Sequence, residues 1–584
     1  MGRRPSGGMY VDTVKSRRTA KDGSTREYSS VLLRRSVRDG AKVGKQTLAN
    51  LTALPDAAVE AVRSILAGRS LVEAESALTV TRSLPHGHVA LVLAQARKLG
   101  LVELLGPPGR SRDLALALVV SQVVRPASKL STVDWWSDVT LGHDLGVAQA
   151  STDEVYAAMD ELLTRQDDIQ AELARRHLTE GGIAMFDLSS SWMEGTSCEL
   201  ARRGHSRDGK RGKLQIEYGL LTDPVGRPIA ILVFPGNTAD PTAFIAAVDA
   251  VRDKFGLGRM TLVGDRGMIT SARIKALKEL GGLSWISSLR APQIAKLAAE
   301  DGPLQMSLFD THDLAEISHP DYPGERLIAC RNPALALQRA RKRESLLAAT
   351  QTLLDTLAAR VNAGRLTGAA AIGLATGKVL NKYKMAKHFT LDITDTHLAY
   401  TRNQAHIDAE AALDGIYVIR TPLSATELDS PGVVEAYKAL SHVERDFRTI
   451  KVDDLDLRPV RHYLTRRVQA HVFIVMLAAY LTWHLRRALA PLTFTDETPP
   501  TRTNPVAPAT VSPAAAAKAS RKIDADDNPV RSFRGALAHL ATLTRNTIDH
   551  GGHTFDKITA PTPTQERAFQ LLGAPIPVSL TPRA

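Results

Sequence analysis

LQIEYGLLTDPVGRPIAILVF, residues 214–234, decides how this chain is read. Two apolar runs, Leu214–Leu221 and Pro228–Phe234, flank the turn sequence Asp223-Pro-Val-Gly226. The spacing predicts two strands in hairpin order. Just upstream, Gly181-Gly182 opens IAMFDLSSS, residues 183–191, which predicts a further strand over Ile183–Ser190. Downstream the period lengthens. Pro241–Phe255 reads as helix, Met260–Gly264 as strand, Ser271–Leu280 as helix and Leu283–Leu289 as strand. Three consecutive strands followed by helix, strand, helix and strand predict a mixed α/β sheet with helices on its faces.

Outward from this core, residues 290–412 read as an insertion domain: a short strand at Arg326–Cys330, a long charged helix at Pro333–Asn362 and the Ala/Gly-rich stretch Ala363–Gly377. Core character returns over 413–490, with a strand in Asp414–Arg420, a helix opening near Ser430-Pro431-Gly432 and a long helix at Leu464–Leu489. Residues 491–529, rich in Pro, Thr and Ala, are expected to be a flexible linker, and 530–584 a small helical tail. Towards the front, 86–180 is helical, with Ser151-Thr152-Asp153-Glu154 patterned as a helix start. Residues 1–85 combine alternating basic strands with a helix ending at Gly68.

Composition narrows the function classes. The net charge is +12, with a pI near 9.6, which favours a polyanionic partner such as nucleic acid. Residues 1–50 hold 12 Lys/Arg against 4 Asp/Glu, a net of +8. Cys198 and Cys330 are too few and too far apart for a zinc ribbon or a disulfide framework, so a reducing cytoplasm is expected. MGRRPSGG at the start lacks the apolar run of a secretion signal. Val472–Trp483, bounded by His471 and His484, reads as a buried core helix rather than a membrane span.

Three carboxylates stand out. Asp187 ends the apolar run Ile183–Phe186, and Asp265 ends Thr261-Leu-Val-Gly in TLVGDRGM. Glu444 lies in YKALSHVERDFRTIK, Tyr437–Lys451, a basic helical segment. Acidic groups placed where strands end suit a divalent cation acting on phosphodiesters, because hard carboxylate oxygens hold Mg²⁺ while its remaining positions take water and substrate. Each Asp alone would more often be a turn cap, and Glu444 a surface partner of Arg445 or Arg448. Their company favours the site. Small residues Ser189-Ser190-Ser191 follow Asp187, glycines flank Asp265-Arg266, and helical spacing puts Tyr437, Glu444, Arg448 and Lys451 on one face.

The set FDLSSSW, LLTDPVGRPIAILVFPGNTAD, VGDRGM and Tyr-x6-Glu-x6-Lys followed by RPVRH resembles the DDE transposases of bacterial insertion sequences. The branch it is most similar to has a Tyr-x2-Arg-x3-Glu-x6-Lys signature. The resemblance implies a ribonuclease-H-like core over 181–289 and 413–490. It makes Asp187, Asp265 and Glu444 the catalytic ligands of two Mg²⁺ ions, with Mn²⁺ able to substitute. Tyr437 and Lys451 match positions that contact the transposon end, and Arg266, Arg445 and Arg448 are further candidates for DNA contact. Leu440 stands where the signature has arginine, a departure that Arg445 or Arg448 would have to cover. Asn237 and Asp240 in PGNTAD read as structural, and Trp285 as core.

The implied activity is cut-and-paste transposition on double-stranded DNA, at terminal inverted repeats and target, by a homodimer in the cytoplasm near the nucleoid. Residues 1–110 would bind the repeats, although no helix-turn-helix pattern is visible. Two alternatives share these residues: a metal nuclease or resolvase that only hydrolyses, and a DNA-binding repressor remnant of the element.

Overall fold

The computed structural model describes residues 6–21, 23, 25–39, 42–69, 78–269, 274, 277, 281–299, 302–310, 312–524, 527–550 and 553–576. The chain divides into two compact units. One is Met1–Ser83 with Asn546–Lys557 and Ser579–Ala584, the other Leu84–Arg545 with Ile558–Val578.

In the first unit β1 (Ser6–Thr19), β2 (Thr25–Asp39) and β3 (Lys42–Asn50) form an antiparallel meander. The alternation of apolar and basic residues therefore builds long strands rather than short ones. Pairing of β1 with β2 runs out to Thr19↔Thr25, so Arg17, Arg18 and Arg26 ride on the end of an exposed hairpin. Helix Asp56–Leu66 follows, with Val59 buried and Arg63 donating to Thr13 Oγ1 at 3.2 Å. Strand β4 (Thr79–Pro85) has its partner strand near the other end of the chain, described below.

The second unit opens with helices, as its sequence pattern predicts. Helix Thr152–Thr164 starts on a capping box: Ser151 Oγ accepts from Glu154 N at 3.2 Å, and Glu154 Oε2 accepts from Ser151 N at 2.8 Å. Helix Thr465–Ala488 packs against this helix, against Arg110–Val124 and against the edge of the sheet. Its length and composition would suffice to cross a membrane, but 83% of its apolar window is buried inside the protein. A helix apolar on every side is what a core position demands.

The central feature is an eight-stranded mixed sheet. Its strands are β5 (Ile183–Trp192), β6 (Gln215–Thr222), β7 (Pro228–Pro235), β8 (Met260–Val263), β9 (Leu283–Ser288), β10 (Leu314–Ile317), β11 (Arg326–Arg331) and β14 (Ile416–Thr421), in the order β10-β11-β14-β9-β8-β5-β6-β7. β5, β8 and β9 are mutually parallel, and the other pairings are antiparallel. Both faces are covered. On one, Phe186 meets Phe244 of helix Asp240–Asp249 edge to face at 6.3 Å. On the other, Tyr218 meets Phe447 of helix Leu440–Arg448 at 5.8 Å. The helix expected over Ser271–Leu280 falls mostly outside the described residues.

Three stretches differ from the sequence reading. β10 and β11, from the region read as an insert, extend the central sheet. From Pro333 onward that region builds a layer of its own, in which helices Pro333–Asn362 and Ala369–Tyr383 pack near β12 (Phe389–Ile393) and β13 (Leu398–Arg402) around Leu347, Leu354 and Leu380. Pro491–Asn528, expected to be a free linker, contains helix Pro513–Arg521 and docks through a fully buried Val506. The tail is not wholly helical. Between helices Phe533–Ala541 and Pro563–Leu572 lie β15 (Thr544–His550) and β16 (His553–Ile558), and β15 sits between β16 and β4.

Candidate active site

The parallel pairing of β5 with β8 fixes where two of the acids stand. Ile183 pairs with Thr261 and Met185 with Val263, so Asp187 and Asp265 continue the same register, each two residues beyond the last pair. Side chains alternate along a strand, so Asp187 projects to the face of Met185, Ser189 and Ser191, away from Phe186. That is the face on which helix Leu440–Arg448 lies. Asp187 was expected at a strand end. It is in fact interior to β5, which runs on to Trp192 against β6, and only the β5–β8 pairing stops beneath it. The sheet splits there and leaves an opening.

That opening is a cavity of about 490 Å³ lined by Asp187, Asp265 and Glu444 together, with Arg266, Tyr437 and Leu440 among its other walls. Glu444 reaches it from helix Leu440–Arg448 and is exposed. Asp187 Oδ1 accepts from Leu188 N at 2.8 Å. Asp265 Oδ1 accepts from Arg266 N at 2.7 Å and from the Tyr437 hydroxyl at 3.4 Å, and that hydroxyl also pairs with Ser288 Oγ at 2.8 Å. Tyr437 thus braces Asp265 through its hydroxyl. Burial pushes the tyrosine up to about 12, so this hydroxyl keeps its proton at neutral pH.

The electrostatics are those of uncompensated anions. Burial pushes the Asp187 carboxyl up to about 7; the Leu188 N–H opposes this, the nearby Asp265 adds to it, Arg207 opposes it, and Glu444 adds to it again. Arg207 is itself engaged, donating to Asp240 Oδ1 at 2.5 Å and standing 3.5 Å from Glu217 Oε2. The neighbouring Asp240 therefore anchors an arginine rather than facing the cavity. A divalent cation fits this set, being all hard carboxylate oxygen and short of positive charge. Among the described residues no three His, Cys, Asp or Glu side chains stand close enough together to hold a metal ion between them. The trio frames the cavity, as suits an ion that keeps water and phosphate oxygens in its shell.

The other expected contacts scatter. Lys451 does not share the Glu444 face. Residues Thr449–Asp453 form a π-helical turn, whose wider winding rotates Lys451 inward, where it is buried and bonded to Asp208 at 2.9 Å beside Arg458. Arg445 points the other way, into a separate cavity of about 530 Å³ that also contains Trp483, Arg486 and Arg487. One residue past Glu444 is about 100° round the helix. Arg448, one turn beyond Glu444, is exposed and does not line the acidic cavity. Sequence reasoning missed Ser288, Arg339 and Lys438, which do line it. Arg339 lay in a charged helix with no motif to single it out.

A family model described as a transposase DDE domain matches residues 187–481, from the first cavity aspartate to well beyond Glu444. The chain belongs to the DDE transposases. A second family model, the N-terminal domain of IS1634 family transposases, matches residues 14–77 of this transposase. It is therefore an insertion-sequence transposase, an enzyme acting on DNA, and its family works with divalent metal ions. Among solved structures, it is similar to a piggyBac transposase synaptic complex with hairpin DNA, at 10% identity over 78% of this chain and 76% of that one, with a TM-score of 0.33. No curated protein matches the transposase.

Proposed function

We propose that Asp187, Asp265 and Glu444 are the catalytic carboxylates of this transposase and that the core carrying them is ribonuclease-H-like. The observation that carries the reading is a single cavity bringing together an aspartate on β5, an aspartate just past the end of the adjacent parallel strand β8 and a glutamate from a helix packed over the sheet. When bound, two Mg²⁺ ions, or Mn²⁺ in their place, supply Lewis-acid charge for phosphoryl transfer. The chain's own part is positional. Asp187 is held by the Leu188 N–H and by burial, Asp265 by Tyr437 and Arg266, and Glu444 is free to approach substrate from its helix.

In the first step a water oxygen bonds to the scissile phosphorus as the bond to the 3′-oxygen breaks, leaving a 3′-hydroxyl on the transposon end. In the second, that hydroxyl bonds to a target phosphorus and displaces the target's 3′-oxygen. Neither step needs a covalent bond to protein. We place this work on paired ends held by a homodimer, in the cytoplasm at the nucleoid. Asp187→Ala, Asp265→Ala and Glu444→Ala are each expected to abolish end cleavage while gel shifts of end DNA persist. Full cleavage by any of the three would remove that residue from the assignment. Joining of a pre-cleaved end with a free 3′-hydroxyl separates a transposase from an enzyme that only hydrolyses.

A further inference from the structure

Building on that reading of the cavity, we propose that Arg339 is a substrate-binding residue of the active site, gripping a phosphate of the DNA strand held against the three carboxylates. The cavity has four positions from which a cation could face an anionic strand: Arg266, Arg339, Lys438 and position 440. Position 440 is leucine and offers no charge. Lys438 is already spent, its Nζ donating to the carbonyls of Val506 at 2.7 Å and Ala507 at 3.0 Å. Arg266 sits beside Asp265 on the aspartate wall, and its backbone N–H holds that carboxylate in place.

Arg339 comes from another element, helix Pro333–Asn362, which starts at the capping residue Asn332. It is exposed, it lines the cavity, and it makes one long contact, from Nη1 to the Ile416 carbonyl at 3.5 Å. Its near neighbour Arg343 is, by contrast, locked in a bidentate pair with Asp414 at 2.5 and 3.0 Å. Arg339 therefore holds a guanidinium in the cavity without a carboxylate partner among the described residues. A planar fork of donors is the group that matches a phosphate's paired oxygens. A polyanion entering beside three carboxylates needs such a counter-charge in the cavity wall. The phosphate it takes is one of the DNA backbone, because the adjoining acids address a phosphodiester.

The test uses the full-length transposase, end DNA and Mg²⁺, with rates measured at saturating DNA. Arg339→Ala is expected to lower the cleavage rate by roughly 10-fold or more. Arg339→Lys should recover only part of it, since an ammonium cannot pair bidentately. Arg341→Ala, exposed two residues along the same helix, should cleave like the parent. Replacing backbone phosphates near the cut one at a time by methylphosphonate should find a position where the parent slows and Arg339→Ala slows no further. Adding Leu440→Arg to Arg339→Ala should restore rate, because the new guanidinium enters the same cavity. Parental cleavage by Arg339→Ala while Asp187→Ala is dead overturns the role of Arg339 alone. Parental cleavage by Asp187→Ala overturns the reading of the cavity and this proposal with it.

Discussion

Asp187 and Lys451 show what a residue's surroundings add to its identity. Asp187 and Asp265 were legible because strand alternation and the position of each acid after an apolar run are local properties. Lys451 was not, because its orientation depends on a π-turn that leaves no period in the sequence. Asp187 is half-buried among like charges, so the transposase should be more stable without metal when that charge is removed. Asp187→Asn is expected to raise the metal-free melting temperature, and the upward shift expected of the parent with Mg²⁺ should be absent from it. Equal Mg²⁺ shifts in both proteins would mean the ion binds elsewhere. Lys129 tests the same physics away from the site. Its Nζ lies 3.3 Å from His471 Nδ1 in the helical layer, and burial brings it down to about 8 from 10.5. A lysine lowered in the fold is a liability below pH 8, where folding must carry the buried charge, and none above 10.5, where both states are neutral. Between those values the unfolded chain binds more protons, so stability rises with pH. Relative to Lys129→Met, the parent should gain roughly 3 kcal/mol between pH 8 and 10.5 in denaturant melts.

At the level of elements, the helices and strands of the core could be read because their faces are buried and their periods kept. β15 could not: TRNTIDH is largely polar and only half-buried, and one of its two partner strands, β4, lies more than 450 residues away. The Pro-rich stretch misled for a related reason. Its composition suits a linker, yet Lys438 and Asn332 bind the Val506 carbonyl and hold it down. Two substitutions probe how these elements are fastened. Gly219 on β6 lies under Phe186, and a Cβ there would meet the ring's Cζ at 2.3 Å. Gly219→Ala should therefore cost about 1–3 kcal/mol in denaturation, because neither the buried ring nor a strand paired on both sides can move aside. Lys451→Ala should act on the fold before it acts on DNA. Asp208, whose side chain is 1% exposed, would lose one of its two cations, lowering the melting temperature while the folded fraction binds end DNA with parental affinity. A normal melting curve with weakened end binding would instead return Lys451 to the DNA.

For the whole molecule the decisive quantity is where the charge sits. The transposase carries +12, and +8 of it lies in residues 1–50, whose described strands form a meander rather than the helix-turn-helix that DNA binding often brings to mind. A long two-stranded ribbon can enter a major groove as a helix does. Its end bears Arg17, Arg18, Lys21 and Arg26, all exposed, and among the described residues Arg17 pairs there with Glu27 at 2.9 Å. The exposed Arg18, Lys21 and Arg26 are the candidates for contact with backbone phosphates. Each phosphate neutralised releases counterions, so affinity falls with salt by about 0.9 log units per contact per decade. Changing all three to Gln should weaken end binding at low salt and flatten the log–log salt slope by about 2–3. Because these residues lie outside the acidic cavity, the rate of cleavage at saturating DNA should not change. An unchanged slope would show that the hairpin end does not touch DNA. A lost cleavage rate would show that the ribbon takes part in chemistry the core is here held to perform alone.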